Sequence, residues 1–250
     1  VVQRDISYLD EDDPRALMDI YLPAGEKPTG GFPTLLFLHG GPLADSGQRP
    51  WPKEWRVFQD YGRLAAEKGL AGVVINHRYS GYEGLVQAMA DAGQAANFLA
   101  EQAEKFDLNR DKLALWAFSG AGMLLRPFLS GEYRALRGLV AFYPLLDLTH
   151  IPQAADVYSD DELIALSPLS VVDRVESALP LYVVRAGRDR PGLNRALDTF
   201  IKQALYHNLN LETRNLPQAG HGFDMLEDSA AGRMAIARGF EFAAANLHED

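Results

Sequence analysis

Short apolar runs alternate with longer segments of helical periodicity along most of the chain. Two of the runs, Thr34–Leu38 and Ala71–Ile75, are apolar almost throughout, as expected of strands that helices cover on both faces. This alternation is typical of βαβ units and predicts an α/β protein with a mostly parallel, eight-stranded twisted sheet. The predicted strands are Ile6–Leu9, Leu17–Leu22, Thr34–Leu38, Ala71–Asn76, Lys112–Ala117, Gly138–Tyr143, Leu181–Ala186 and Leu211–Asn215.

Helical patterns fill most of the intervals between these strands. No such pattern separates the first two strands, so we expect them to form an antiparallel hairpin at the edge of the sheet. The predicted helices are Trp55–Lys68, Gly84–Lys105, Gly120–Leu129, Leu193–His207 and Ala230–Leu247.

The interval Pro144–Pro180 breaks this rhythm, with several prolines and a short helix that opens on an acidic run at Asp160. We interpret it as an insertion over the carboxyl edge of the sheet, which is either a small lid or a plain surface excursion. A chain of 250 residues is long enough for one sizeable core, and we expect residues 1–250 to form a single domain.

The charge and composition of the chain disfavour some classes of binding partner. The chain has 24 basic and 34 acidic residues and a net charge of -10, which opposes binding to nucleic acid and to anionic membranes. It has no stretch of 18 apolar residues and no basic segment followed by an apolar run at the start, so we expect a cytoplasmic protein. The sequence begins at Val1 rather than at a methionine, which leaves a removed leader open.

The absence of cysteine limits the chemistry further. With a cysteine count of 0, the chain has no disulfide, no thiolate zinc site and no cysteine nucleophile. No histidine pair stands at a metal-ligand spacing such as H-E-x-x-H. We therefore expect no cofactor and no metal.

One serine lies in a turn between an apolar strand and an apolar helix. Ser119 follows Leu113–Phe118, and its neighbours Ala117, Gly120, Ala121 and Gly122 are all small. Small neighbours let strand and helix approach closely, which is the geometry of a nucleophile elbow. Alanine replaces both glycines of the strict G-x-S-x-G pattern, and a serine in such a turn can also serve only as a helix cap.

A glycine pair after the third strand is a candidate for binding an oxyanion. His39–Pro42 reads H-G-G-P and follows the run that ends at Leu38. Glycine permits close backbone approach, whereas Pro42 has no N–H to donate. We expect the amides of Gly41 and of Gly120, the residue after the serine, to form an oxyanion hole.

A histidine and an aspartate complete a candidate triad. His221 lies between two glycines in Gly220–Asp224, after the last predicted strand, where it could act as a general base. Asp189 follows the strand that ends at Ala186 and could orient the histidine. Asp147, after the preceding strand, is the rival acid, and Asp189 could instead pair with a neighbouring arginine.

Several other side chains could shape a pocket at this edge of the sheet. Trp51, Trp55 and Phe58 follow the glycine pair and could line it or pack in the core. The segment His77–Tyr79 follows a central strand and either contacts ligand or braces neighbouring loops. Arg190, close to Asp189, could contribute positive charge or form a solvated ion pair.

Together, His39–Pro42, the Ser119 turn, Ala186–Asp189 and Gly220–Asp224 resemble the α/β-hydrolase superfamily. The G-H-G-F segment and the short chain are similar to its dienelactone hydrolase-like and small serine esterase branch. The resemblance spans nearly the whole chain. It implies a carboxylesterase-like enzyme that hydrolyses an ester or lactone of a small molecule without a metal, by way of an acyl-enzyme on Ser119.

Two features of the sequence leave other functions open. Dienelactone hydrolases proper use a cysteine nucleophile, which this chain lacks. The H-G-G-P loop also resembles prolyl oligopeptidase-type peptidases, although those carry a large additional domain. A peptidase or amidase is one alternative, and a catalytically silent protein that binds a small ligand is the other.

Overall fold

The computed structural model describes residues 1–9, 13–43, 49–131 and 133–248. Eight strands form one sheet in the order β1-β2-β4-β3-β5-β6-β7-β8. β1 pairs with β2 and β2 with β4 in antiparallel fashion, and the remaining pairs are parallel. The strands are β1 (Val2–Ser7), β2 (Leu17–Tyr21), β3 (Phe32–Leu38), β4 (Ala71–Ile75), β5 (Leu108–Phe118), β6 (Leu136–Phe142), β7 (Leu181–Ala186) and β8 (Leu211–Leu216).

The predicted fold class, its eight strands and the hairpin at the sheet edge are confirmed. The bounds shift most at the first strand, which begins at Val2 rather than Ile6, and at β5, which begins at Leu108. The α-helices are α1 (Arg56–Glu67), α2 (Leu85–Glu101), α3 (Arg126–Leu129), α4 (Pro152–Ala155), α5 (Asp160–Leu166), α6 (Pro191–Tyr206), α7 (Phe223–Leu226) and α8 (Ala230–His248).

The predicted helix Gly120–Leu129 is wrong in its type. Residues Ser119–Leu125 form a 3₁₀ helix, and only the last four residues, α3, are α-helical. Pro127 has no N–H to donate to the carbonyl of Met123, which prevents a regular α-helix from running through this point. The residues of this 3₁₀ helix that follow Ser119 are all buried.

Alternate side chains of the central strands point into two separate cores. Leu36 and Leu38 face the core that includes α2, whereas Leu35 and Phe37 face the core that includes α1 and α8. Trp116 lies in the second core, 4.9 Å from the ring of Phe240 in α8. A methyl group at Gly239 would lie 2.4 Å from the Trp116 ring, so α8 can approach the sheet only with glycine there.

The segment Pro144–Pro180 carries two short helices, α4 and α5, and a 3₁₀ helix, Pro168–Arg174. The acidic start of α5 is confirmed: Ser159 caps this helix, and the Glu162 side chain returns to the Ser159 amide. Leu163 is buried against the core that includes α2. That the segment acts as a lid stays a prediction. No helix among the described residues has the length and hydropathy needed to span a membrane.

A buried ionic cluster joins the start of the chain to the segment that precedes α1. The Lys53 ammonium donates to Asp19 at 2.8 Å and to Asp5 at 2.7 Å. The side chains of Lys53 and Asp19 are 2% and 0% exposed. Arg4 also donates to Asp19, at 2.9 Å. Removing one member of such a buried pair leaves the other without full compensation.

We expect Lys53→Met to lower the free energy of unfolding by about 3 kcal/mol, because Asp19 stays buried after losing its main partner. Lys27→Met is the matched control, since Lys27 contacts Asp107 at the same 2.8 Å but both side chains are about half exposed. That change should cost less than about 1 kcal/mol. Urea unfolding monitored by circular dichroism measures both. Equal losses would contradict the importance of the buried cluster.

Candidate active site

The backbone of Ser119 departs from the ordinary range directly after β5. Its φ is +55°, in the left-handed region that side-chain-bearing residues rarely adopt. The Leu145 amide donates to the Ser119 carbonyl at 2.9 Å and holds the turn against the loop after β6. A non-glycine residue in this conformation needs such surrounding contacts, because it costs about 1–3 kcal/mol. The predicted elbow geometry is therefore present.

Ser119, His221 and Asp189 lie in one hydrogen-bonded row. Ser119 Oγ is 2.7 Å from His221 Nε2, and His221 Nδ1 is 2.6 Å from Asp189 Oδ2. This arrangement assigns the Nδ1 proton to the bond with the carboxylate and leaves Nε2 free to accept the proton of the serine. The His221 side chain is 29% exposed and that of Asp189 is 2% exposed.

The structure distinguishes the two candidate acids. Asp189 lies in the loop between β7 and α6, where its other oxygen accepts from the Arg190 amide at 2.7 Å. Arg190 Nε is 3.9 Å from the same carboxylate, but the arginine is 72% exposed. The carboxylate of Asp147 accepts from the amide and the hydroxyl of Thr149, in its own loop. The histidine thus pairs with Asp189.

Gly41 and Gly120 meet at the top of the sheet. A methyl group at Gly120 would lie 1.7 Å from the carbonyl oxygen of Gly41, and one at Gly40 would lie 3.1 Å from the Cβ of Ser119. A side chain at 120 would therefore force the H-G-G-P loop away from the elbow. All three glycines border the same cavity as Ser119. Their role as oxyanion donors stays a prediction.

Two stacked histidines support this loop from beneath. The rings of His39 and His77 are parallel, with centroids 3.6 Å apart. His77 Nε2 donates to the His39 carbonyl at 2.9 Å, and His39 Nδ1 donates to that of Gly40 at 2.7 Å. Burial lowers the pKa of both side chains, that of His77 to about 4. Both rings are thus neutral at physiological pH, and His77 braces the loop rather than facing the cavity.

The cavity beside Ser119 has a volume of about 580 Å³. One wall is aromatic, with Trp55, Phe58 and Tyr82. The segment Pro144–Pro180 supplies another wall, which includes the apolar side chains of Leu145, Ile151 and Pro152. Arg190 lies at the rim. The size of this cavity and its mostly apolar lining suit a small organic ligand.

Comparison with known proteins supports the fold. The BD-FAE family model matches residues 18–132, a little under half of the chain. A truncated carbohydrate esterase from gut microbiota has a TM-score of 0.78 at 14% identity, covering 97% of this chain and 96% of that one. Esterase 2 of Thermogutta terrifontis, phosphoramylated by tabun, has 0.78 at 17% identity, covering 100% and 97%. The chain has the α/β-hydrolase fold.

Esterase B from Lactobacillus rhamnosis shares this fold with a TM-score of 0.75 at 15% identity, covering 98% of this chain and 86% of that one. No curated protein matches the sequence. At these identities the neighbours establish the hydrolase fold, and the dienelactone hydrolase-like branch stays a prediction. Among the described residues, no group of three or more metal-ligating side chains is placed to hold an ion.

One feature of the site does not follow from the sequence motifs. Behind His221, the hydroxyls of Tyr143 and Tyr61 donate to the carboxylate of Asp224 at 2.5 and 2.9 Å. The ring of Tyr143 lies edge-to-face with that of His221, with centroids 4.8 Å apart. Asp224 belongs to the G-H-G-F-D segment, but its distant partners follow only from the fold.

The low pKa of His77 predicts how stability depends on pH. The unfolded chain binds a proton to this histidine below its ordinary pKa of 6.5, whereas the folded protein does so only near 4. Stability contributed by the neutral ring is therefore lost as the pH falls through this window, by roughly 3 kcal/mol in total. In His77→Gln, we expect the loss of unfolding free energy between pH 7 and pH 4 to be smaller by about that amount. Urea titrations at several pH values measure it, and equal losses in the two proteins would refute it.

Proposed function

We propose that the protein is a serine hydrolase that cleaves a carboxylic ester or lactone of a small molecule. The observation that carries the proposal is the hydrogen-bonded row of Ser119, His221 and Asp189 at the base of a largely apolar cavity. The three neighbours of like fold described above are named as esterases. A cytoplasmic location and a lid function of Pro144–Pro180 are further predictions, based on the sequence.

In the first half of the reaction, Ser119 Oγ attacks the acyl carbon while its proton passes to His221 Nε2. The charge that develops on the carbonyl oxygen is stabilised by the amides of Gly41 and Gly120. Asp189 accepts from Nδ1 and stabilises the imidazolium. Collapse of the intermediate expels the alcohol, which takes the proton from His221, and leaves the acyl group on Ser119.

In the second half, His221 removes a proton from a water molecule. The water then attacks the acyl carbon of the acyl-enzyme, in which the acyl group is bound to Ser119 Oγ. The same two amides hold the second oxyanion, and the proton returns from His221 to Ser119 Oγ as the carboxylic acid leaves. Every proton moves through His221 Nε2, and apart from the ester and one water the proposed steps use only side chains and amides of this chain.

A fluorophosphonate probe tests this proposal whatever the natural substrate is. We expect the wild-type protein to be labelled on Ser119 and Ser119→Ala to remain unlabelled, with kcat for any ester reduced by more than about 10⁴-fold. A panel of short and long acyl esters, lactones and aminoacyl amides then separates an esterase from a peptidase. An unlabelled wild-type protein would contradict the proposal and favour a silent binding protein, and equal labelling of both proteins would contradict it by placing the reactive nucleophile elsewhere.

The two candidate acids give a matched pair of variants. Asp189→Asn should lower kcat by about 10³- to 10⁴-fold, because the amide favours the wrong tautomer of His221. Asp147→Asn should change kcat by no more than a few-fold, since that carboxylate bonds within its own loop. Steady-state kinetics with an activated ester measures both. A larger loss in Asp147→Asn would reverse the assignment.

A further inference from the structure

Tyr143 is held in a fixed place beside the histidine. It follows β6 directly with φ of +39°, and its amide donates to the Val184 carbonyl of β7 at 2.7 Å. Its ring is 2% exposed and lies 4.8 Å from the centroid of the His221 ring, at an interplanar angle of 60°. On its other side the ring lies 5.4 Å from that of Phe223. The side chain therefore has little freedom to turn away from His221.

Asp224 fixes the far end of this tyrosine. Its Oδ1 accepts from the Tyr143 hydroxyl at 2.5 Å and its Oδ2 from that of Tyr61, in α1, at 2.9 Å. Burial, and then the charge of Asp224, raise the pKa of both tyrosines, so both hydroxyls keep the protons that they donate. The carboxylate thus carries the negative charge of the cluster, three residues after His221.

A packing role alone does not account for this carboxylate. Burial raises the pKa of Asp224, an effect that the two tyrosine hydroxyls oppose but do not cancel. Compared with the unfolded chain, the folded protein favours the neutral carboxyl more strongly, so the charge on Asp224 costs stability as the pH rises above the ordinary value of 3.8. A group that destabilises the fold when charged is typical of a functional site.

We propose that Tyr143 and Asp224 form a positioning pair that holds the ring of His221 and favours its protonated form during the reaction. This inference rests on the proposed hydrolase function. A phenol that donates to a carboxylate has an electron-rich ring, and aromatic rings attract adjacent cations. The imidazolium would then be stabilised on one side by Asp189 directly and on another by Asp224 through Tyr143.

Other charged groups also lie near this pair. Asp189 bonds to the opposite edge of the imidazole, and Arg190 lies beyond it at the cavity rim. On the outer side of Asp224, a surface groove of about 340 Å³ is bordered by Arg56 and Asp60 of α1. Their effects are the same in wild type and in variants of the pair, so a comparison between these proteins isolates the pair itself.

The test compares Asp224→Asn and Tyr143→Phe with Tyr61→Phe. The last removes the other hydroxyl from Asp224, but the Tyr61 ring packs on Trp116 and Phe118 rather than on His221. Two rates are followed against pH: phosphonylation of Ser119 by a fluorophosphonate, and ester hydrolysis normalised to the labelled fraction. Thermal unfolding at pH 7 is recorded for each protein.

For Asp224→Asn we expect kcat to fall about tenfold with KM within about twofold, because the effect acts on the cationic form of His221. The low-pH limb of both profiles should move to lower pH, by up to about one unit, since the imidazolium loses a nearby negative charge. The unfolding temperature should equal or exceed that of wild type. Tyr143→Phe should change the rates and profiles in the same direction, and Tyr61→Phe should keep both within about twofold.

A purely structural role would lower the unfolding temperature of Asp224→Asn and leave the normalised kcat and the pH profile unchanged, which would overturn the inference. Equal effects of Tyr61→Phe and Tyr143→Phe would also overturn it, because they would remove the special role of the ring beside His221. If the wild-type protein itself is not labelled, the proposed function fails and the inference with it. If the wild-type protein is labelled but the variants keep its rates and pH profiles, the inference is refuted and the proposed function stands.

Discussion

The left-handed backbone of Ser119 is the constraint on which the rest of the site depends. With φ at +55°, the chain turns sharply where β5 ends. The contacts that hold it there come from the loops that follow the two neighbouring strands, β3 and β6: Gly120 lies against the Gly41 carbonyl, and a methyl at Gly122 would lie 2.4 Å from the Leu145 carbonyl. The elbow, the H-G-G-P loop and the loop after β6 therefore form one packed unit, which holds Ser119 in its unusual backbone conformation.

Burial also sets the charges around this unit. His39 and His77 lie under the loop in a dry stack, and burial lowers the pKa of both, so the support of the proposed oxyanion hole carries no charge near neutral pH. Negative charge is instead placed on the two sides of His221, by Asp189 and by Asp224. In a protein with a net charge of -10, these two carboxylates are distinguished by position, since they flank the ring on which an imidazolium would form.

Much of the fold follows from local pattern, and the reasons are physical. Strands covered on both faces must be apolar throughout, which is why Ala71–Ile75 could be recognised, and a sharp strand-to-helix turn needs small residues, which marked Ser119. The choice between Asp189 and Asp147 could not be made in this way, because both follow a strand at the same edge of the sheet. It required the path of each loop and the hydrogen bonds of Thr149.

Contacts between residues far apart in the chain could not be predicted from the sequence. Tyr143 and Asp224 are separated by 81 positions, and nothing in either segment indicates its partner. The 3₁₀ helix after Ser119 and the stack of His39 on His77 likewise depend on tertiary packing that no periodicity reports. The motifs therefore predicted which residues gather at the carboxyl edge of the sheet, and the structure added how each is oriented and what holds it.

A crystal structure of the protein after reaction with a phosphonate ester would show whether these groups act together on an acyl centre. We expect a covalent bond from phosphorus to Ser119 Oγ, with the phosphonyl oxygen within hydrogen-bonding distance of the Gly41 and Gly120 amides. His221 should remain bonded to Asp189. A phosphonate attached to another residue, or an oxygen directed away from both amides, would contradict it.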